Sequence, residues 1–269
     1  MHAAVLGSPV SHSLSPCIHN AAYRATQLAH DYSAIEVVAQ DLVSFVSQLD
    51  ESWMGLSLTM PLKEVAFEVA HEVTPVATLA RSINTLILGD VITADNTDVY
   101  GIVRAVQENW DEPIARLVLI GSGATARSAI IAAHELEVRS IDILARNSAA
   151  IANCEELAQQ LGMTLTNISI EQVSTTPSTL TVNTTPVGVA DEIARTLTDP
   201  SGVLLDVVYH PWPTQLAQRW QDAGLVAIPG HSMLLHQAAK QFELMTSHAA
   251  PLEEMRLALR NELDTRGIQ

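Results

Sequence analysis

The chain has 269 residues, 48% of them apolar, and a formal net charge of -16. It therefore has material for one large α/β domain or two smaller ones, and it lacks the clustered cations that broad neutralisation of nucleic-acid phosphates requires. The longest apolar runs, such as "ARLVLIG" and "GVLLDVV", fall far short of the roughly 20 residues that span a bilayer, so no membrane partner is expected. No basic stretch precedes an apolar one at the start, and a signal peptide is not expected. Cys17 and Cys154 are far apart, and ten histidines are scattered singly, a pattern that points to free thiols in a reducing cytoplasm and to no metal site.

Short apolar runs alternate with helical segments along the chain. "AAVLG" precedes a helix over "SPCIHNAAYRATQ", "YSAIEVV" precedes one over "DLVSFVSQLD", and "GLSLTM" precedes one over "PLKEVAFEVA". A short helix at "TPVATLA" and two strands, "NTLILG" and "VITA", follow, with Gly89-Asp90 as a hairpin turn between them. A second alternating series starts near Val99: helix "DVYGIVRAVQEN", strand "RLVLIG", helix "ATARSAIIAAHEL", strand "SIDILA", helix "SAAIANCEELAQQL", a strand from about Ser178, and strand "GVLLDVVY". The chain closes with helices at "SMLLHQAAKQFELMT" and "PLEEMRLALRNELD". This alternation predicts βαβ units and a mostly parallel sheet, arranged as two α/β lobes with a ligand cleft between them.

"LVLIGSGATARSA" is a buried-type strand, a glycine-rich turn and a helix. Gly121, Ser122, Gly123, Ala124 and Thr125, closed by Ala126, fit the dinucleotide pattern G-x-G-x-x-G/A. The first glycine permits the tight turn, and the second lets backbone approach a pyrophosphate at the helix N-terminus. At the end of the next strand stand Ala145, Arg146 and Asn147. An arginine there accommodates a 2′-phosphate, which favours NADP(H), whereas Asp142 lies three residues too early to face a ribose hydroxyl. Near the N-terminus, "GSPVSHSLSPCIHN" gathers Ser11, Ser13 and Ser15 ahead of Pro16. Those serines can cap the following helix or hold a carboxylate beside its N-terminus.

Lysine is rare: Lys63 and Lys240 stand against twelve arginines. Composition alone makes Lys63 an ordinary residue of a helix first turn, and Asp98 can serve as the N-cap of the helix that starts at Val99. His12, His19, His210 and Trp212 read as structural.

Taken together, "GSPVSHSLSPCIHN", "LTMPLKE", "SINTL", "ADNTDVYG", "GSGATA", "VNTTPVG", "DVVYHPWPT" and "GHSMLLHQAAKQFE" resemble, in order and over nearly the whole chain, the shikimate dehydrogenase family. The resemblance implies an N-terminal α/β substrate-binding domain over 1–99 plus 233–269, and a Rossmann-like NADP-binding domain over 100–232. It implies NADPH-dependent reduction of 3-dehydroshikimate to shikimate in aromatic amino-acid biosynthesis, by a cytoplasmic monomer or homodimer. Lys63 and Asp98 fall on the catalytic pair. Ser13, Ser15 and Tyr209 fall on the positions that hold the substrate carboxylate, and Thr59, Asn84 and Gln237 on its other hydrogen-bonding positions. Val207 and Gly230 are expected near the nicotinamide, with Asn183 and Thr184 at the inner edge of the cofactor.

The sequence departs from the family pattern where Ala124 replaces a glycine, where Ala145-Arg146-Asn147 replaces N-R-T, at Leu62, where histidine is frequent, and at Val189, where methionine is common. Two other readings stay open. One is a quinate-directed paralogue, which could use NAD; the other is a non-catalytic nucleotide-binding module, which would have no reason to keep Lys63, Asp98 and the serines together.

Overall fold

The computed structural model describes residues 1–173, 175, 176 and 179–268. Two units divide the fold, Met1–Gly101 with Leu234–Gly267 and a second built on Ile102–Met233. In the first unit the chain forms β1 (His2–Gly7), α1 (Ser15–Ala25), β2 (Asp31–Glu36), α2 (Leu42–Ser47), β3 (Trp53–Leu58), α3 (Leu62–Val65), β4 (Glu72–Val73), α4 (Pro75–Ala80), β5 (Thr85–Ile87) and β6 (Thr93–Asp95). It leaves that unit within α5 (Asp98–Asn109). The second unit then runs β7 (Arg116–Ile120), α6 (Ala124–Glu135), β8 (Ser140–Leu144), α7 (Ser148–Gln160), β9 (Thr164–Asn167), β10 (Thr179–Asn183), α8 (Asp191–Thr196), β11 (Val203–Asp206), α9 (Gln215–Asp222) and β12 (Ala227–Pro229). The chain returns within α10 (Gly230–Thr246), and α11 (Leu252–Thr265) follows. No helix among the described residues is long and apolar enough to cross a membrane.

The second sheet has the order β12-β11-β10-β7-β8-β9 with every pair parallel. This is the doubly wound order of dinucleotide-binding folds, in which the first strand of the series sits centrally and the chain winds outward both ways. Central strands of such a sheet are covered on both faces and read as unbroken apolar runs. β7 follows that rule, with Leu117, Val118, Leu119 and Ile120 all buried. Below it, Trp220 is fully buried among Ile193, Leu197, Leu204 and Leu216.

The first sheet, β2-β1-β3-β5-β6-β4, is mixed rather than mostly parallel. β1 pairs in parallel with β2 and β3, as the alternating pattern predicts. The turn around Gly89-Asp90 then makes β5 and β6 an antiparallel hairpin, and β3 also pairs antiparallel with β5. A hairpin needs no crossover helix, so parallel order stops where the chain reverses tightly.

Other boundaries also differ from expectation. The helix predicted over "PLKEVAFEVA" closes at Val65 and tightens into a 3₁₀ turn over Ala66–Glu68. One turn is enough to bury Leu62 and Ala66, the residues the core takes from it. β11 ends at Asp206, so Val207 and Tyr209 lie beyond the strand. β10 starts at Thr179; Ser178, the expected start, lies outside the described residues. α10 begins at Gly230, two residues before Ser232.

His19 is fully buried on α1 and stacks on Tyr32, ring centroids 4.1 Å apart. Burial pushes its imidazole down from 6.5 to about 3. The folded state thus refuses a proton that the unfolded chain accepts below about pH 6.5, and stability falls as pH drops from there toward 3. His19→Gln is expected to flatten the fall in unfolding free energy between pH 6 and 4, by up to about 1.4 kcal/mol per pH unit. Urea melts across that range check it, and equal slopes in both proteins would refute it.

Candidate active site

Lys63 is presented by α3, the single helical turn after Pro61. Its backbone carbonyl accepts from Ile83 N at 2.8 Å, which ties it to the residue before Asn84. Asp98 opens α5 at the end of "ADNTD", a stretch folded on its own side chains. Asn96 Nδ2 donates to Ser82 O at 2.9 Å, Asp98 N donates to Asn96 Oδ1 at 3.0 Å, and Thr74 Oγ1 donates to Asp95 Oδ1 at 2.6 Å. Held this way, Asp98 Oδ2 meets Lys63 Nζ at 2.5 Å. The Asp98 side chain is 5% exposed and that of Lys63 17%, so the pair is largely shielded and the ammonium keeps an opening to solvent. The helix starts at Asp98 itself, and the carboxylate is engaged with Lys63 and Asn84. That engagement replaces the N-cap reading.

Asn84 is buried beside this pair. Its Nδ2 lies 2.8 Å from Asp98 Oδ1, 3.0 Å from Thr97 Oγ1 and 3.1 Å from Gln237 Oε1. Its Oδ1 accepts from Thr97 N at 2.8 Å and Thr85 Oγ1 at 2.8 Å. Lys63, Asn84, Asp98 and Gln237 are therefore brought together. Hydrogen bonds between charged partners, as from the Lys63 ammonium to the Asp98 carboxylate, are the short and strong ones. What the arrangement offers chemically is a proton donor with a fixed counter-charge.

Ser13 and Ser15 stand at the start of α1. Ser15 is buried, and its backbone N–H donates to Ser13 Oγ at 3.2 Å. The N-cap position is Leu14, with no side-chain cap bond. Arg266 donates from Nη1 to His12 O at 2.7 Å and from Nε to Glu262 Oε1 at 2.7 Å, which fastens this loop to the end of α11. Thr59 follows β3 half-buried, its N–H donating to Leu6 O at 2.9 Å.

In the second unit, Gly121 takes φ +106 and its N–H donates to Leu144 O at 3.0 Å. A β-carbon there would strike Thr184, whose hydroxyl donates to Ile120 O at 2.8 Å. Gly123 is the N-cap of α6, and a β-carbon on it would meet open space. The first turn of α6, which holds Ala124 and Thr125, carries no acidic side chain. The sequence-predicted loop therefore has the features an anionic pyrophosphate needs: a left-handed first glycine, an uncrowded second one and an unopposed helix N-terminus. Arg146 is exposed just beyond β8. Asn147 caps α7 by accepting from Ala150 N at 3.1 Å, and Asp142 is paired with Arg116 at 3.1 Å.

Asn183 and Thr184, at the end of β10, hydrogen-bond within the unit, Thr184 to Ile120 O as above. Asn183 Nδ2 donates to Asp206 Oδ1 at 2.9 Å, and its Oδ1 accepts from Thr185 Oγ1 at 2.7 Å. Asp206, fully buried, also accepts from Val208 N at 3.1 Å and from Thr214 Oγ1 at 2.7 Å. Burial pushes its carboxyl upward while those hydrogen bonds oppose the shift. Gly230 is needed because a β-carbon would collide with the Val207 carbonyl. Tyr209 is half-buried three residues past β11. Sequence reasoning missed Asp206, although one aspartate inside "GVLLDVV" is itself a signal, since an unsupported charge is costly in such a run. It also missed Thr85, Thr97 and Gln241.

Comparison with known proteins gives a consistent result. A family model described as the shikimate dehydrogenase substrate binding domain matches residues 5–86, and one described as the shikimate 5'-dehydrogenase C-terminal domain matches residues 230–260. The chain is 31% identical to a shikimate dehydrogenase (NADP(+)) from Synechocystis sp., over 97% of this chain and 95% of the relative. The crystal structure of Mycobacterium tuberculosis shikimate dehydrogenase superposes with a TM-score of 0.89 at 39% identity, covering 97% of this chain and 99% of that one. The Thermus thermophilus shikimate 5-dehydrogenase in complex with NADP(H) and shikimate superposes with a TM-score of 0.84 at 27% identity, covering 97% and 99%.

The contrast between the two loop glycines is testable. Gly123→Ala, placed in open space, is expected to leave unfolding free energy within about 0.5 kcal/mol of the parent while weakening NADPH binding about tenfold or more, read by fluorescence titration. Undiminished affinity would show that the close approach occurs elsewhere.

Proposed function

Because the chain belongs to the shikimate dehydrogenase family, we propose that it catalyses the reversible NADPH-dependent reduction of 3-dehydroshikimate to shikimate. The observation that carries this reading is the shielded Lys63–Asp98 pair at 2.5 Å with Asn84 on its second oxygen. NADPH, held by the loop Gly121 to Thr125, would supply a hydride to the carbonyl carbon. The oxygen that gains electrons then needs a proton, and Lys63 gives it from Nζ, regaining one from solvent through its exposed edge. Asp98 keeps the ammonium aimed and accepts a hydrogen bond from a substrate hydroxyl. Proton transfer of this kind is worth about 10²- to 10⁴-fold, and positioning supplies much of the rest.

Ser13 and Ser15, with Tyr209, are assigned to the substrate carboxylate. Thr59, Asn84 and Gln237 are assigned to its hydroxyls. Gln237 faces Asn84 with its carbonyl oxygen, so its NH₂ is the end a substrate oxygen would meet. For the cofactor, the assignment is the loop Gly121 to Thr125 for the pyrophosphate, Arg146 and Asn147 for the 2′-phosphate side, and Val207 and Gly230 near the nicotinamide. Asn183 and Thr184 are assigned to the inner edge of the cofactor. The substrate-binding and catalytic part is assigned to 1–99 plus 233–269 and the NADP-binding part to 100–232. The two cysteines are free thiols, as a reducing cytoplasm allows, and the enzyme is taken to act there as a monomer or homodimer.

Steady-state assays with shikimate and quinate, each against NADP and NAD, test the overall reading; the shikimate–NADP pair is expected to give the highest kcat/KM. Lys63→Ala should abolish turnover while NADPH affinity stays within about twofold, and unchanged turnover would remove Lys63 from the mechanism. Lys63→Arg should fail nearly as badly, since a planar, permanently charged guanidinium cannot release the proton. Arg146→Ala should lower NADPH affinity by about tenfold or more and NADH affinity little. Equal losses would move the 2′-phosphate elsewhere.

A further inference from the structure

Behind the Lys63–Asp98 pair lies a buried hydrogen-bond chain that reaches from β2 through β3 to α10, all within the first unit. Tyr32 OH donates to Ser57 Oγ at 2.6 Å, and Ser57 Oγ donates to Gln241 Oε1 at 2.8 Å. Gln241 Nε2 donates to the Asn84 carbonyl at 3.1 Å and to Thr85 Oγ1 at 3.0 Å. Thr85 Oγ1 donates to Asn84 Oδ1, and Asn84 Nδ2 donates to Asp98 Oδ1. Tyr32, Ser57, Asn84, Thr85, Asp98 and Gln241 are each at most 4% exposed, so the chain is closed to bulk solvent. His19 covers the far side, stacked on Tyr32.

The chain has a direction. A hydroxyl has one proton, so Ser57, already accepting from Tyr32, gives its own to Gln241 Oε1. The NH₂ of Gln241 must then face Asn84 and Thr85. Thr85, accepting from Gln241, gives its proton to Asn84 Oδ1. That oxygen, filled also by Thr97 N, leaves the Asn84 NH₂ as the group that meets Asp98. The opposite amide orientation would set a carbonyl oxygen against a carboxylate in a dry site, at a high electrostatic cost.

We propose that Gln241, oriented by Ser57 and Tyr32, is a positioning residue that fixes the Asn84 amide and through it the aim of Asp98 and Lys63. This rests on the reading that Lys63 and Asp98 carry the proton transfer. Gln241 sits one helical turn beyond Gln237 on α10, so the two share a face. Gln237 is assigned to substrate, whereas Gln241 acts only through Asn84.

The test compares Gln241→Met, which keeps the volume and removes every hydrogen bond, with the milder Ser57→Ala, which only releases the amide. Thermal melting, NADPH titration and the separate kcat and KM for shikimate are read on the full-length enzyme at 25 °C, beside Lys63→Ala. Expected are a kcat lower by about tenfold in Gln241→Met and about threefold in Ser57→Ala, with NADPH affinity and the KM for NADP within about twofold of the parent. A lowered melting temperature with kcat unchanged would make Gln241 a purely structural residue and overturn the proposal; if Gln241→Met does not fold, Ser57→Ala decides by the same criterion. Full turnover in Lys63→Ala would instead sink the underlying mechanism, an outcome separable from either Gln241 result.

Discussion

Asp98 is a carboxylate with almost no access to water, and most of the first unit's polar architecture follows from that. Such a group needs donors on both oxygens, because burying a charge is costly unless it is paired and hydrogen-bonded. Lys63 fills one oxygen and Asn84 the other. Each of those donors must in turn be held. α3 and its tie to Ile83 fix the lysine, while Thr85, Thr97 and Gln241 fix the asparagine. The ion pair is a weak source of stability, since burying two charges costs nearly what their attraction returns. Its value is directional: it holds one ammonium at a known place and angle.

The second unit solves a similar problem with different chemistry. Asp206 is also buried at a strand end, but its partners are neutral: an amide, a backbone N–H and a hydroxyl. Burial pushes its carboxyl up against those hydrogen bonds, and its work is mechanical. Through Asn183, Val208 and Thr214 it joins the end of β10, the segment after β11 and the N-cap of α9. The backbone around Asn183 and Val207 is thus shaped from beneath.

Much of this was readable in the sequence where local rules suffice. β7, the glycine turn and α6 follow from a buried strand pattern and from the backbone demands of Gly121 and Gly123, and α5 follows from its apolar period. What local pattern could not supply was pairing. The reversal at Gly89-Asp90 was visible, but not that it would make the first sheet mixed. β9, a four-residue strand of mostly exposed residues, and β12, which ends in a proline, carry too little apolar signal. At the site, the resemblance pointed to Lys63, Asn84, Asp98 and Gln237, which the fold brings together. Gln241 and Thr85 stayed invisible because their meaning comes from hydrogen-bond direction in three dimensions, as does the bond from Asn183 to Asp206.

The first unit is discontinuous in sequence, and this has a consequence for how the chain is made. Lys63, Asn84 and Asp98 lie within 35 residues of one another and emerge from the ribosome together. Gln237 and Gln241 reach Asn84 across 153 and 157 residues, after the whole of the second unit has been synthesised. Until then the inner end of the Asn84 network has no partner from α10, and Ser57 has no Gln241 carbonyl to receive its proton. Such contacts are the slow ones, because closing a long loop costs entropy before the contact returns anything. The Asn84 network of the first unit is therefore completed only when α10 arrives, after the continuous stretch 102–233 that makes up nearly all of the second unit.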